Sequence, residues 1–135
     1  MFRQYLAIDK KTMFSVALTC VALTTVTAAH AMKDKPEVDC ASFTSACSTQ
    51  LTDLCATIEE ADSLKDRDRL GMMGKTAGAD TKINQAKYAD AAQKLTDLDN
   101  KLYQLENARK AKIAPFDADA IGTALVPAQA CVDQL

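Results

Sequence analysis

"YADAAQKLTDLDNKLYQLENA", residues 88–108, places Tyr88, Ala91, Leu95, Leu98, Leu102 and Leu105 at successive steps of 3, 4, 3, 4 and 3. That spacing sets six apolar side chains on one face of an α-helix and leaves the charged and amide residues on the other. Burying a leucine contributes about 2 kcal/mol, and a small chain has no surplus stability with which to leave such a stripe in water. The surface that covers it must come from the rest of the chain.

Three further stretches carry the same period. Cys47, Leu51, Leu54, Ile58 and Ala61 recur at steps of 4, 3, 4 and 3 and predict a first helix, with Cys55 at its margin. Ser63, with Asp66 three residues on, has the form of a capping pair opening a second helix, whose stripe is Met72, Thr76, Ala79 and Ile83 with Met73 flanking. After "KIAPF", Asp117 is placed to cap a fourth, with Ile121, Leu125, Ala128, Val132 and Leu135 as its stripe and a kink expected at Pro127. No stretch alternates at period two, so no sheet is expected.

No Gly or Pro separates the second and third stripes, and one continuous coiled-coil rod is the rival arrangement. The phase opposes it. Continuing the second stripe from Ile83 lands on Ala86, Asp90, Gln93 and Asp97, whereas the leucine stripe starts at Tyr88, a slip of two residues. A seam that slips cannot face one partner along its length, so a turn is expected at Asn84 to Lys87, with Asn84 in the left-handed conformation. Four amphipathic helices with short connections pack most simply as an all-α, antiparallel up-down-up-down four-helix bundle. The core is then Leu51, Leu54, Ile58, Met72, Ile83, Leu95, Leu98, Leu102, Leu105, Ile121, Leu125 and Val132.

The amino terminus reads as an address. Arg3, Lys10 and Lys11 precede an apolar run from Met13 to Ala29, and "AHA" at Ala29, His30 and Ala31 supplies the small residues a signal peptidase requires. Cleavage is expected after Ala31. The run is diluted by Thr19, Thr24, Thr25 and Thr27 and falls short of the roughly 20 apolar residues of a bilayer span. The organisation is therefore a signal peptide over 1–31, an N-terminal extension over 32–46 and the bundle over 47–135.

Removing the signal takes Arg3, Lys10 and Lys11 from 16 basic residues and Asp9 from 18 acidic ones, leaving 13 and 17 and a net charge of about −4. That balance argues against nucleic acid and, after cleavage, against an anionic membrane surface, both of which need clustered Lys and Arg. Four cysteines remain, Cys40, Cys47, Cys55 and Cys131, an even number in an exported chain, so disulfides are expected. Cys47 and Cys55 on one helix would stand about 12 Å apart along its axis, twice the reach of a disulfide. Two connectivities are left. In an antiparallel bundle Cys131 lies level with the start of the first helix, which favours Cys47 with Cys131 and Cys40 with Cys55. Cys40 with Cys47 and Cys55 with Cys131 is the other.

"GMMGKTAGADTKINQAKYADAAQKLTDLDNKLYQL", followed by "DADAIGTALVPAQACVDQL", resembles the FIMAH family of small four-helix domains appended to secreted bacterial proteins. The resemblance covers roughly Leu51 to Leu135. It rests on Met72, Met73 and Lys75, on Ala91, Leu95, Leu98, Leu102 and Leu105, and on the Ala-rich and Ile-containing segment from Ala118 to Leu135. Departures are Leu98 for the family's aromatic, Ala86 for a turn glycine, Thr76 for a leucine, and Pro127 within the last helix. The resemblance implies a non-catalytic helper with a binding role and no catalytic residues to carry over.

Catalysis is not expected. The one histidine, His30, leaves with the signal, and the remainder has no tryptophan, no Gly-rich phosphate loop and no free thiol, so the usual bases and nucleophile partners are missing. Without a histidine or a C-x-x-C knuckle no metal site is expected, and no cofactor either. The carboxylate pairs Asp97 with Asp99, Asp117 with Asp119 and Glu59 with Glu60 suit solvated faces and helix starts better than a cation. The expectation is a periplasmic or secreted interaction module that takes a protein or glycan on its polar outer faces. A small-ligand or inhibitor bundle with a cleft near Met72, Met73 and Pro127 is the alternative.

Overall fold

The computed structural model describes residues 37–135. The expected signal peptide, its cleavage point and the first residues of the extension lie outside the described residues. Among the described residues all regular structure is helical: a single 3-10 turn at Cys40–Ser42, then α1 (Ser48–Glu60), α2 (Asp66–Asn84), α3 (Tyr88–Glu106) and α4 (Pro115–Asp133). The helices form a four-helix bundle, α1 against α2, α2 against α3, α3 against α4, and α4 back against α1. α2 and α3 share the most extensive contact.

The apolar stripes close on one another. Leu51, Leu54, Cys55 and Ile58 from α1, Met72, Met73, Thr76, Ala79 and Ile83 from α2, Ala91, Leu95, Leu98, Leu102 and Leu105 from α3, and Ala118, Ile121, Leu125, Ala128 and Val132 from α4 are all buried. Thr76 is the polar member of this core, and its hydroxyl donates to the Met72 carbonyl one turn back at 3.2 Å, so it enters the interior satisfied. Two stripe ends differ from expectation. Tyr88 is 39% exposed because α3 begins at that residue, and Leu135 is 47% exposed because α4 stops at Asp133 before reaching it.

Chain reversal between α2 and α3 occurs where the phase slip requires it, but on a different residue. α2 runs through Asn84, and the left-handed position is Ala86, with φ of 56°. The Lys87 N–H donates to the Lys82 carbonyl at 2.8 Å and the Ala86 N–H to the Ile83 carbonyl at 2.9 Å. This is the six-to-one and five-to-two pair of a Schellman ending, which puts the left-handed residue two beyond Asn84. An alanine there bears a steric cost that glycine would not.

The helix starts also differ. The N-cap residues are Lys65 for α2 and Ala114 for α4, and neither provides a side-chain cap. Ser63 and Asp117 instead bond to each other across the bundle, as described below. Pro115 occupies the first helical position of α4, where its missing N–H costs nothing, and the helix runs unbroken through Pro127, which lies on the exposed side.

Both disulfides close in the favoured pairing, Cys47 with Cys131 at a Cα separation of 5.9 Å and Cys40 with Cys55 at 5.6 Å. Stable disulfides belong to an oxidising environment, and no helix among the described residues is long and apolar enough to cross a membrane. The compact unit starts at Val38, nine residues before the expected boundary at Cys47. Val38 and Phe43 pack on the core, so this part of the extension lies against the bundle.

Candidate functional site: two outward walls of the bundle

Asp80 explains how the segment before α1 is held. Its side chain is buried on α2 and accepts from the backbone N–H of Ser45 at 2.9 Å, from that of Thr44 at 3.2 Å and from the Asn84 amide at 3.3 Å. Asn84 also donates to the Thr44 hydroxyl at 3.0 Å, and the Thr52 hydroxyl donates to the Cys40 carbonyl at 3.1 Å. A buried carboxylate that accepts from three donors of the surrounding chain is a structural anchor. Among the described residues no group of three His, Cys, Asp or Glu converges as a metal would require.

At the other end of the bundle the α1–α2 and α3–α4 loops meet. The Ser63 hydroxyl accepts from the Ala114 N–H at 2.9 Å and donates to Asp117, whose carboxylate also accepts the Ser63 N–H at 3.1 Å. Ser63 thus satisfies a donor at the start of α4 and not one of α2. Arg69 reaches from α2 to the carbonyls of Ala61 at 2.9 Å and Leu64 at 3.3 Å, supplying a cation to the C-terminal end of α1, which has none of its own.

With the interior closed and both ends tied, the outward walls are the surfaces on which a partner can act. The α2–α3 wall is polar. Lys75, Asp97, Asn100, Lys101, Tyr103 and Gln104 line an open groove of about 570 Å³. Lys101 bonds Asp68 at 2.9 Å and Lys75 stands 3.9 Å from Asp97, so its charges are compensated in pairs. The Lys101 ammonium, by its hydrogen bond and its charge, holds the Asp68 carboxyl below its ordinary value of 3.8. Tyr103 is 67% exposed beside the two amides.

The α1–α4 wall is different in kind. Thr57 from α1 and Phe116, Asp119, Ala120, Thr123 and Ala124 from α4 line a second open groove of about 560 Å³. Phe116 is 82% exposed. Met72 and Met73 are buried and Pro127 is exposed, so the structure does not bring these three residues to one surface. The periodicity of α4 held the signal for this wall, because Phe116, Ala120, Thr123 and Pro127 recur at steps of 4, 3 and 4, out of phase with the buried stripe.

No protein-family model, curated protein or solved structure matches this chain.

Proposed function

We propose that the protein is an exported, non-catalytic helical-bundle module that binds a protein partner in the periplasm or outside the cell through its outer surface. The observation that supports this is the apolar α1–α4 wall. A bundle whose core is already filled, with Leu51, Leu54, Met72, Leu95 and Ile121 wholly buried, has no internal use for an exposed Phe116. Phe116, standing exposed beside Ala120 and Ala124 in the groove, is the apolar contact a partner would cover. The disulfides fit export, and the resemblance to FIMAH modules fits a helper role.

A glycan is the second reading, favoured by Tyr103 beside Asn100 and Gln104 in the polar groove, since an aromatic face with adjacent amides suits a neutral sugar ring. Affinity capture from the bacterial envelope fraction separates the two when run with wild type, Phe116→Ser and Tyr103→Ala side by side. The protein reading expects one partner lost from Phe116→Ser and retained by Tyr103→Ala. The glycan reading expects the reverse, together with elution by soluble oligosaccharide. Equal retention by both variants refutes both.

A further inference from the structure

We infer that the α1–α4 wall is the docking groove for a cationic amphipathic helix of a partner protein. This rests on the protein-binding role proposed above and adds the chemistry of the partner. α4 carries two apolar stripes. One, Ala118 through Val132, is buried. The other, Phe116, Ala120 and Pro127 with the hydroxyl-bearing Thr123 among them, turns outward with Ala120 half-buried and extends about 16 Å along the axis, three turns of helix. The buried stripe packs between α3 and α1, and nothing among the described residues covers the outward one.

The shape suits a helix. Ala120, Thr123 and Ala124 are small, so a second backbone can approach closely. Thr57 closes the far side of the groove and Phe116 stands at one end as a raised aromatic. Helix-in-groove recognition takes large apolar residues at one-turn spacing, and this floor accepts them.

Charge chooses the occupant. Neither α1 nor α4 contains a Lys or Arg, whereas together they hold Asp53, Glu59, Glu60, Asp117, Asp119 and Asp133. Asp117 is bonded to Ser63 and Glu59 lies against the Cys40 sulfur, so the acidic rim of this groove is Asp119, which lines it, with Asp53 and Glu60 on the face of α1 that carries Thr57, all three exposed. A second copy of the chain would set one uncompensated acidic wall against another, and an anionic bilayer would be repelled. A helix with leucines on one face and lysines or arginines flanking them matches both the apolar floor and the acidic rim.

The test is a titration of the disulfide-bonded protein, followed by amide NMR shifts, with an amphipathic Leu/Lys helical peptide of about five turns and with its Leu/Glu counterpart. The Leu/Lys peptide should shift the amides of Thr57, Phe116, Ala120 and Thr123 and bind with a Kd of roughly 10–100 µM, as befits a three-turn contact well below the standard interface size. Phe116→Ser should weaken it more than ten-fold. Asp119→Lys combined with Glu60→Lys should exchange the preference toward the Leu/Glu peptide. Both sites are exposed, and unchanged thermal melts verify the fold. Equal binding of the two peptides by wild type, unchanged affinity in Phe116→Ser, shifts confined to the Lys75–Tyr103 wall, or dimerisation through Phe116 in sedimentation would each overturn the inference. Shifts at the Lys75–Tyr103 wall would leave the broader binding role standing, whereas no binding on any wall would count against both.

Discussion

The two ends of the bundle are closed by different chemistries. At the end where α1 begins, α2 stops and α4 finishes, Cys47–Cys131 ties first helix to last, Asp80 pins the incoming segment, and a Schellman turn at Ala86 reverses the chain. At the other end no disulfide is present among the described residues. Ser63 and Asp117 join the two loops through exposed hydrogen bonds, half-buried Arg69 holds the end of α1, and the Lys101–Asp68 pair joins α3 to α2. A covalent tie keeps its full effect whatever the solvent, whereas exposed polar ties are worth tenths of a kcal/mol to little more than one. The first end is therefore the stable one, and local opening should start at the second.

The largest break in this asymmetry is removal of the long crosslink. Cys47→Ala with Cys131→Ala frees an 85-residue loop, whose closure stabilises by at most about 4.6 kcal/mol on the chain-entropy account. A loss of several kcal/mol in denaturant unfolding is expected, comparable with the whole stability of a small bundle. A change below about 1 kcal/mol would show that the covalent end owes little to its sulfur.

Asp80→Ala comes next and attacks the same end without touching the disulfides. It strands the buried Ser45 N–H along with the Thr44 N–H and the Asn84 amide, at about 2–3 kcal/mol. Amide exchange should quicken first at Ser45. If protection there is unchanged, the anchoring role is wrong.

Ser63→Ala addresses the polar end and should cost only about 1 kcal/mol, since water can replace both of its partners. Its signature is local: faster exchange at Ala114 with Ser45 unaffected. A loss larger than that of Asp80→Ala would reverse the ranking of the two ends. Ala86→Gly has the opposite sign. Relief of the left-handed alanine should stabilise by somewhat under 1 kcal/mol after the added flexibility of the unfolded chain is subtracted, and a rise in melting temperature is the readout.

What the sequence made legible follows from what is local. The core residues of all four helices lie on their own 3-to-4-step stripes, and the slip between Ile83 and Tyr88 was enough to place the turn. The disulfide pairing followed from rise per residue and helix direction. The caps were not legible, because Ser63 and Asp117 have the right local spacing for capping their own helices but find each other 54 residues apart once the loops converge. Asn84 lost the left-handed position to Ala86 because its side chain is held by Asp80 and Thr44, contacts invisible along the chain. The outward residues of α4 recur at helical spacing too, but the stronger buried stripe of Ile121, Leu125 and Val132 on the same helix masks them.

The smallest effect tests the polar end through its pH dependence. Asp68 titrates below 3.8 in the folded state because Lys101 donates to it at 2.9 Å. A depressed carboxyl gives stability that is fully present above the unfolded value and is lost as pH falls through the folded one. Lys101→Met should therefore cost about 0.5 kcal/mol at neutral pH, a gap that holds down to roughly pH 4, closes on further acidification and shrinks in high salt. Urea melts of both proteins from neutral to strongly acid conditions measure it. A gap that persists after Asp68 is protonated would mean that Lys101 acts by packing its aliphatic stem along the α2–α3 wall, and the second end would then be less polar in its energetics than in its contacts.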